Sequence, residues 1–508
     1  MNAEHERRET PETRPDRRLS WLERPHAGVT LILGLALLFW LCFVLAGTFS
    51  PPEERIAGAK PVACYAWIRS LAFDRDLDFE NEYRALTCGD EATERRFINP
   101  DGPRTPSGRL PNTASIGPGL LWAPFLALGH AAARLAGLPS DGFSQPYHTA
   151  VFLANIVYGT AGALLTCAAL RAWWGKWASA LAAVAAWAAS PALYYTYARE
   201  AMPHAAAFFA SALFFFAWSH LRRRAAWWAW AGMGAALGLA ALVQWPCAAF
   251  IVVPAVDALW RARRAGLARL LVCAVAALLV FSPQLLAWHA LFETPMPSMG
   301  GEESMAWLAP AFFRVLFSAR EGLFTWTPLM AAGLLGLCLW PRDDRQAWVA
   351  IAAAVLIQIY LAACARDTGA SFGARHLVAS VPFYAMGLAA LFSRYQAARP
   401  RWMAAAVTLC VVWNSLFMMQ FAGLLDPLYL NEALYALAEE QQVPVTALTT
   451  MNRLPDGTPF ELEEFAQSHQ FPRDATPSLR QFVPDKLTVV LVLGRQVLRS
   501  VVPDLLTE

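Results

Sequence analysis

Long charge-free apolar runs recur along the chain, beginning near Val29, His148, Trp177, Ala201, Ala225, Leu270, Leu323, Ala347, Leu377 and Trp402. A bilayer core takes about 20 apolar residues per helix, so each run is long enough to cross. The run after Arg224 continues to Val256, broken at Gln244, Trp245 and Pro246. It is flanked by Arg222, Arg223 and Arg224 on one side and Arg261, Arg263 and Arg264 on the other. Basic residues gather in cytoplasmic loops, so both flanks belong inside and this run crosses twice. The pattern predicts an all-α membrane protein, a polytopic bundle of about eleven transmembrane helices.

The stretch from Ser115 to Leu138 is apolar enough to pass for a further span. Counting it puts Arg171 and Lys176, Arg222 to Arg224, and Arg261 to Arg264 outside. Leaving it out puts them all inside, together with the Arg-rich amino-terminal segment, "PRDDR" and "SRYQAARPR". It is therefore read as a helix lying in the outer interface. The outer surface then comprises a long first loop over residues 50–147, the turn "YAREAMPH", a loop from Phe292 to about Gly322, "ARDTGASFGARH", and the segment beyond Leu425.

Three regions follow. Residues 1–25 carry Arg7, Arg8, Arg14, Arg17, Arg18 and Arg24 among acids, with almost no apolar residues, and are expected to be a disordered cytoplasmic tail. Residues 26–425 form the membrane domain. Residues 426–508 are expected as a small extracytoplasmic segment, because the apolar run Leu487–Leu493 is too short to span. The first apolar run is long enough to span and stay, so no cleavable signal is expected.

Composition agrees: 57% of the 508 residues are hydrophobic and 16% charged, against roughly 25% charged in soluble domains. The net charge of +2 is dispersed among loops, and nucleic acid is not an expected partner. Seven cysteines sit in apolar runs; Cys64 and Cys88 lie in the first outer loop, where a disulfide and two thiols carry equal weight. No Cys or His spacing indicates a metal, so a divalent ion is left open without support from the sequence, and no cofactor is expected. The spans carry almost no ionisable groups, which disfavours an ion transporter.

Chemistry therefore gathers on the outer face. In "RSLAFDRDLDFENEY", Asp74, Asp76, Asp78, Glu80 and Glu82 fall within nine residues. Each outer feature has an ordinary reading: a solvated acidic face, an Arg199–Glu200 surface pair worth little, an interfacial His204, an aromatic belt of Tyr194, Tyr195 and Tyr197, and a helix boundary at Arg366, Arg375 and His376. Convergence at one membrane depth suits a lipid-phosphate substrate instead. Guanidinium groups match its phosphate, aromatic faces its sugar, and a carboxylate its acceptor hydroxyl. Asp76 or Asp78 and Glu200 are the candidate catalytic carboxylates. Arg69, Arg320 and Arg375 are the candidate phosphate contacts, with Tyr197, His204 and His376 beside them. Alternation in "DLDFE" sets Asp76, Asp78 and Glu80 on one side, and Leu77 and Phe79 against the membrane domain.

The order of one span, a long acidic outer loop, an interfacial segment, a short basic inner loop ("LRAWWGKWASALAA") and "ASPALYYTYAREAMPHAAAFFASALFFFAW" resembles the GT-C superfamily of membrane glycosyltransferases. Within that superfamily it resembles bacterial members of the dolichyl-phosphate-mannose mannosyltransferase and aminoarabinose transferase type. "SIGPGLLWAPF", "LFSAREGLFTWTPL" and "SFGARHLVASVPF" add to the resemblance, which spans most of Val29 to Leu425. It implies a bacterial inner-membrane protein with a cytoplasmic amino terminus and a periplasmic active face. The implied reaction is inverting transfer from a polyprenyl-phosphate-linked sugar to a glycan, lipid or protein acceptor, with a first-loop acid as general base. Two positions depart from the pattern. Lys60, followed by Tyr65, stands near the expected base, and Gln244 precedes Pro246 by two where an Arg before a Pro is usual. Lys60 and Tyr65 join the candidate substrate contacts. The alternative is a catalytically silent relative that binds a polyprenyl-phosphate lipid or a membrane partner protein, with Lys60 as an anion contact.

Overall fold

The computed structural model describes residues 26–45, 56, 58–87, 94–95, 97–99, 102, 104–198, 201–261, 263–295, 305–318, 321–340, 344–366, 372–396 and 398–421. Segments 1–25 and 426–508, and with them Cys88, Glu200 and Arg320, lie outside the described residues. The described chain is all helix and loop. Its one β feature is an isolated antiparallel bridge between Met305 and Ala365.

The main helices are α1 (Ala27–Leu45), α2 (Ala59–Arg69), α3 (Glu80–Leu86), α4 (Gly117–Leu135), α5 (Gln145–Leu170), α6 (Lys176–Ala188), α7 (Pro191–Tyr197), α8 (His204–Leu221), α9 (Trp227–Val243), α10 (Val252–Arg261), α11 (Arg263–Phe292), α12 (Pro328–Leu337), α13 (Arg345–Cys364), α14 (Val381–Tyr395) and α15 (Pro400–Phe421). Six segments are long and apolar enough to cross a bilayer: α5, α8, Ala265–Phe292, α13, Arg375–Tyr395 and Pro400–Met418. α6 and α7 make a seventh if their 66° bend lies within one crossing. Ala27–Cys42, Trp227–Val243, Trp245–Trp260 and Pro328–Leu337 are apolar but shorter. This is a polytopic membrane protein.

Local sequence explains the breaks. At the α6–α7 bend Ser190 caps the second helix, accepting from Ala192 N at 3.2 Å, and Pro191 takes the first helical position, where a missing N–H costs nothing. Between α9 and α10, Gln244 is extended at φ −148° and Pro246 cannot donate to a continuing ladder, so the chain restarts as a 3₁₀ turn, Trp245–Ile251. Against α11, α9 presents Gly234 and Gly238, where an added Cβ would meet the carbonyls of Cys273 and Ala277 at 2.1 and 2.4 Å. Small residues let helix backbones meet closely where lipid gives no hydrophobic drive between them.

The helix ends sort into two sets. At one end Arg222 pairs with Asp344 and approaches Asp257 at 3.5 Å, Trp173 donates to Asp344 at 3.1 Å, and Arg223 reaches Asp344 at 3.1 Å. Burial pushes the Asp344 carboxyl up, but the Arg222 and Trp173 hydrogen bonds outweigh it and bring it down to about 2. The start of α1 passes Arg171 at this end. At the other end lie α2 to α4 and, from α15, Phe421, whose ring meets Tyr194 and Phe372. The Arg-rich loops thus share one end and the long first loop occupies the opposite one. The Gly117–Leu135 helix packs on α2 and α5 and is not among the segments that qualify as spans.

Candidate functional site

A cavity of about 370 Å³ opens at the first-loop end, within the usual range for small-molecule sites. Its wall is assembled from parts far apart in sequence: Gly58 to Cys64 at the start of α2, Thr113 to Ser115, Met202 to His204 at the start of α8, Val243 to Pro246 at the α9 break, the last turns of α13 from Gln358, and Arg375 and His376. Helix starts and helix ends both meet there. Their partial charges oppose one another, so the side chains set the sign of the field.

Those side chains are Lys60, Arg375, His204, His376, Gln244 and Gln358, and among the described lining residues there is no carboxylate. Lys60 and Arg375 are the cationic neighbours of His204 and His376 is its imidazole neighbour; His376 in turn faces Arg314 and Glu321. Arg314 pairs with Glu321 at 2.7 Å and also donates to the carbonyl of Ala365, itself part of the cavity wall. His204 is 5% exposed and its ring lies 4.4 Å from that of Tyr195. Gln358 donates to Pro246 O at 2.9 Å, tying α13 to the helix break. No group of three or more metal-ligating side chains occurs among the described residues.

The first loop holds Lys60 in place. From α2, Tyr65 donates to Gly142 O at 2.6 Å and Trp67 to Ala114 O at 2.9 Å, while Asn112 donates back to Ala63 O at 2.9 Å. At the end of α2, Arg69 pairs with Asp74 and with Glu82 at 2.8 Å, donates to Asp141 O at 3.1 Å, and stacks over Phe143 at 4.2 Å. Glu82 is fully buried and its Oε2 has no hydrogen-bond partner. Burial pushes its carboxyl up to about 7 against the pull of Arg69. Burial raises Tyr65 as well, and its phenol stays protonated.

The sequence candidates divide accordingly. Lys60, His204, Arg375 and His376 share the cavity wall. Tyr65 and Arg69 sit further along the Lys60 helix as its anchors. Tyr197 donates to Ala36 O at 3.0 Å, packing α7 on α1. Asp76 and Asp78 are exposed and not among the cavity lining: Asp76 accepts from Ser70 Oγ at 2.9 Å and from Asp78 N, and Asp78 accepts from Glu80 N. Both shape the turn into α3. As the alternation implies, Phe79 is buried against Trp67, with Leu77 packed at the same cluster. Cys64 is buried within α2; Cys88, with which a disulfide and two free thiols carried equal weight, lies outside the described residues, as do Glu200 and Arg320. Gln244, Gln358 and Glu82 carry more of the structure than the sequence signals. The interrupted "VQWP" run was the visible sign for Gln244; an isolated Gln in an apolar helix gave none for Gln358.

Crystal structures of ArnT from Cupriavidus metallidurans, bound to undecaprenyl phosphate and in the apo state, are similar to this chain at 15% and 16% identity. They cover 94% and 92% of this chain and 79% and 76% of the other, with TM-scores of 0.49 and 0.45. Neither likeness reaches a TM-score of 0.5, and neither bears on the chemistry of the cavity. No family model and no curated protein matches the chain.

Proposed function

We propose that the chain is a GT-C-type membrane glycosyltransferase that takes a sugar from a polyprenyl-phosphate donor and passes it, with inversion, to a glycan, lipid or protein acceptor. The observation that carries this reading is the meeting of Lys60 and Arg375 with His204, His376 and Gln244 in one cavity, at the end of the bundle opposite the Arg-rich loops. Two cations and no carboxylate among the described lining residues suit an anionic ligand, and the small cavity suits a head group rather than a folded partner. With the Arg-rich end in the cytoplasm of a bacterial inner membrane, the cavity faces outward. On this reading the six qualifying segments, the bent α6–α7 pair taken as one crossing, and the four shorter apolar helices are the eleven crossings, amino-terminal end inside and residue 421 outside.

In the transfer, an acceptor oxygen attacks the anomeric carbon as its bond to the phosphate oxygen breaks. Negative charge grows on the departing phosphate, where Lys60 and Arg375 oppose it. The acceptor proton passes to a carboxylate. Glu200, two residues before Met202 of the cavity wall, is the proposed base, and Arg320 is retained as a proposed phosphate contact. The alternative, a silent relative that binds the lipid phosphate without transfer, draws on one specific observation. Lys60 occupies the wall near the position where the resemblance expects a base, and no described lining residue is an acid.

A lipid-linked glycan profile of a deletion strain, complemented with wild type, Glu200→Gln or Lys60→Met, separates the two. Loss of one glycan, restored by wild type alone, supports transfer. An unchanged profile, with polyprenyl phosphate still binding the purified protein in a Lys60-dependent way, supports the silent reading.

A further inference from the structure

Two polar groups in the cavity wall are not cations and are not satisfied. Gln244 Oε1 and His204 Nδ1 are buried and have no hydrogen-bond partner, and among the described lining residues they are the side chains of which this is true. An unpaired buried donor or acceptor costs free energy until a partner arrives. Both residues stand at well-defined positions in the wall. Gln244 sits at the helix break, which Cys247 N closes onto Gln244 O at 2.9 Å and Gln358 fastens through Pro246. His204 begins α8 directly after Pro203 and lies against Tyr195.

The chemistry of the two walls differs. Lys60 and Arg375 donate to, and attract, an anion. An amide oxygen only accepts, so Gln244 Oε1 calls for an O–H or N–H group. A phosphate monoester dianion supplies none. A sugar esterified to that phosphate supplies several within one residue's length. We propose that Gln244 and His204 form a hydrogen-bonding face that binds the sugar hydroxyls of a glycosyl-phosphate lipid, so that the cavity prefers the glycosylated lipid to the bare lipid phosphate. The inference rests on the lipid-phosphate reading of the cavity and deepens it: after transfer the carrier is left as the form that leaves Gln244 and His204 unpaired, which favours its departure.

The test uses the full chain in nanodiscs with three probes: polyprenyl phosphate, and the same lipid esterified with mannose or with glucose. The sugar esters are expected to bind about tenfold more tightly than the bare phosphate, the scale of satisfying one or two buried polar groups. Gln244→Leu and His204→Phe are expected to remove that preference while leaving bare-phosphate affinity within about twofold. His204→Gln, which restores a hydrogen-bonding group, is expected to recover part of it. Lys60→Met is expected to weaken all three probes alike. Equal binding of bare and glycosylated lipid by wild type overturns the inference and leaves the phosphate reading standing, as does an equal loss for every probe in Gln244→Leu. No binding of any probe overturns both.

Discussion

Glu82→Gln isolates one buried charge. The carboxylate sits fully buried between Arg69 and the turn into α3, with one oxygen unpartnered. Its carboxyl is raised from 4.5 to about 7, chiefly by burial. A raised acid binds its proton more tightly folded than unfolded, so stability is greatest below 4.5, falls as pH rises toward 7, and stays low above it. At about 1.4 kcal/mol per pH unit, the rise from 4.5 to about 7 means that the ionised form costs the folded loop at most about 3.5 kcal/mol. Glutamine keeps the shape and an acceptor for Arg69 but has no charge to desolvate. Arg69 retains Asp74 and the Asp141 carbonyl. At pH 8 the variant should therefore protect amides of residues 63–86 against hydrogen exchange about ten- to a hundredfold better than wild type, after correction for intrinsic exchange. At pH 4.5 the two should converge. A variant less protected than wild type at pH 8, or a difference independent of pH, would refute the account, because the ion pair would then be worth more than its burial costs.

The complementary change, Arg69→Met, strands Glu82 while Asp74 keeps Asn81, and should loosen the same amides by about 3 kcal/mol, the usual cost of breaking a buried pair from one side. At the opposite end, Asp344→Asn removes the partner of Arg222 and Arg223; with the Asp344 carboxyl held at about 2, the loss should be full at neutral pH and shrink only as wild type is acidified toward pH 2, read as thermal half-life in detergent. Arg375→Leu should weaken polyprenyl-phosphate binding about ten- to a hundredfold by titration in nanodiscs, with the fold retained; unchanged affinity removes Arg375 from the site. A cysteine placed at Ser115 should label from the periplasm and one at Arg223 from the cytoplasm; the reverse pattern inverts the proposed orientation. Glycan transfer that survives in an Asp76→Asn, Asp78→Asn double variant and vanishes in Glu200→Gln would assign the base to the second outer segment, and the opposite result would return it to the acidic turn.

The apolar runs and their breaks were legible in the chain itself because they are local properties: a charge-free run must be helical in lipid whatever its neighbours do, and "ASP" and "VQWP" stop a helix by the chemistry of Pro alone. The grouping of Arg171, Arg222 and Arg223 at one end, apart from the long first loop, was legible for the same reason, since charge restricts each loop independently. Which residues meet was not. Lys60, His204, Gln244 and Arg375 lie up to hundreds of residues apart and share no periodicity, so only the packing of α2, α8, α9 and the Arg375–Tyr395 segment decided that they form one wall. The acidic loop shows the limit most plainly. Five carboxylates at alternating positions look equivalent in the sequence, yet folding buries Glu82 on Arg69, leaves Asp76 and Asp78 in solvent to shape a turn, and keeps Glu80 on the surface with Arg84. Alternation describes an extended strand, whereas the chain here bends through a helical turn at 70–74 and enters α3 at Glu80. The partner of each acid is set by that three-dimensional bend, which no spacing rule along the chain encodes.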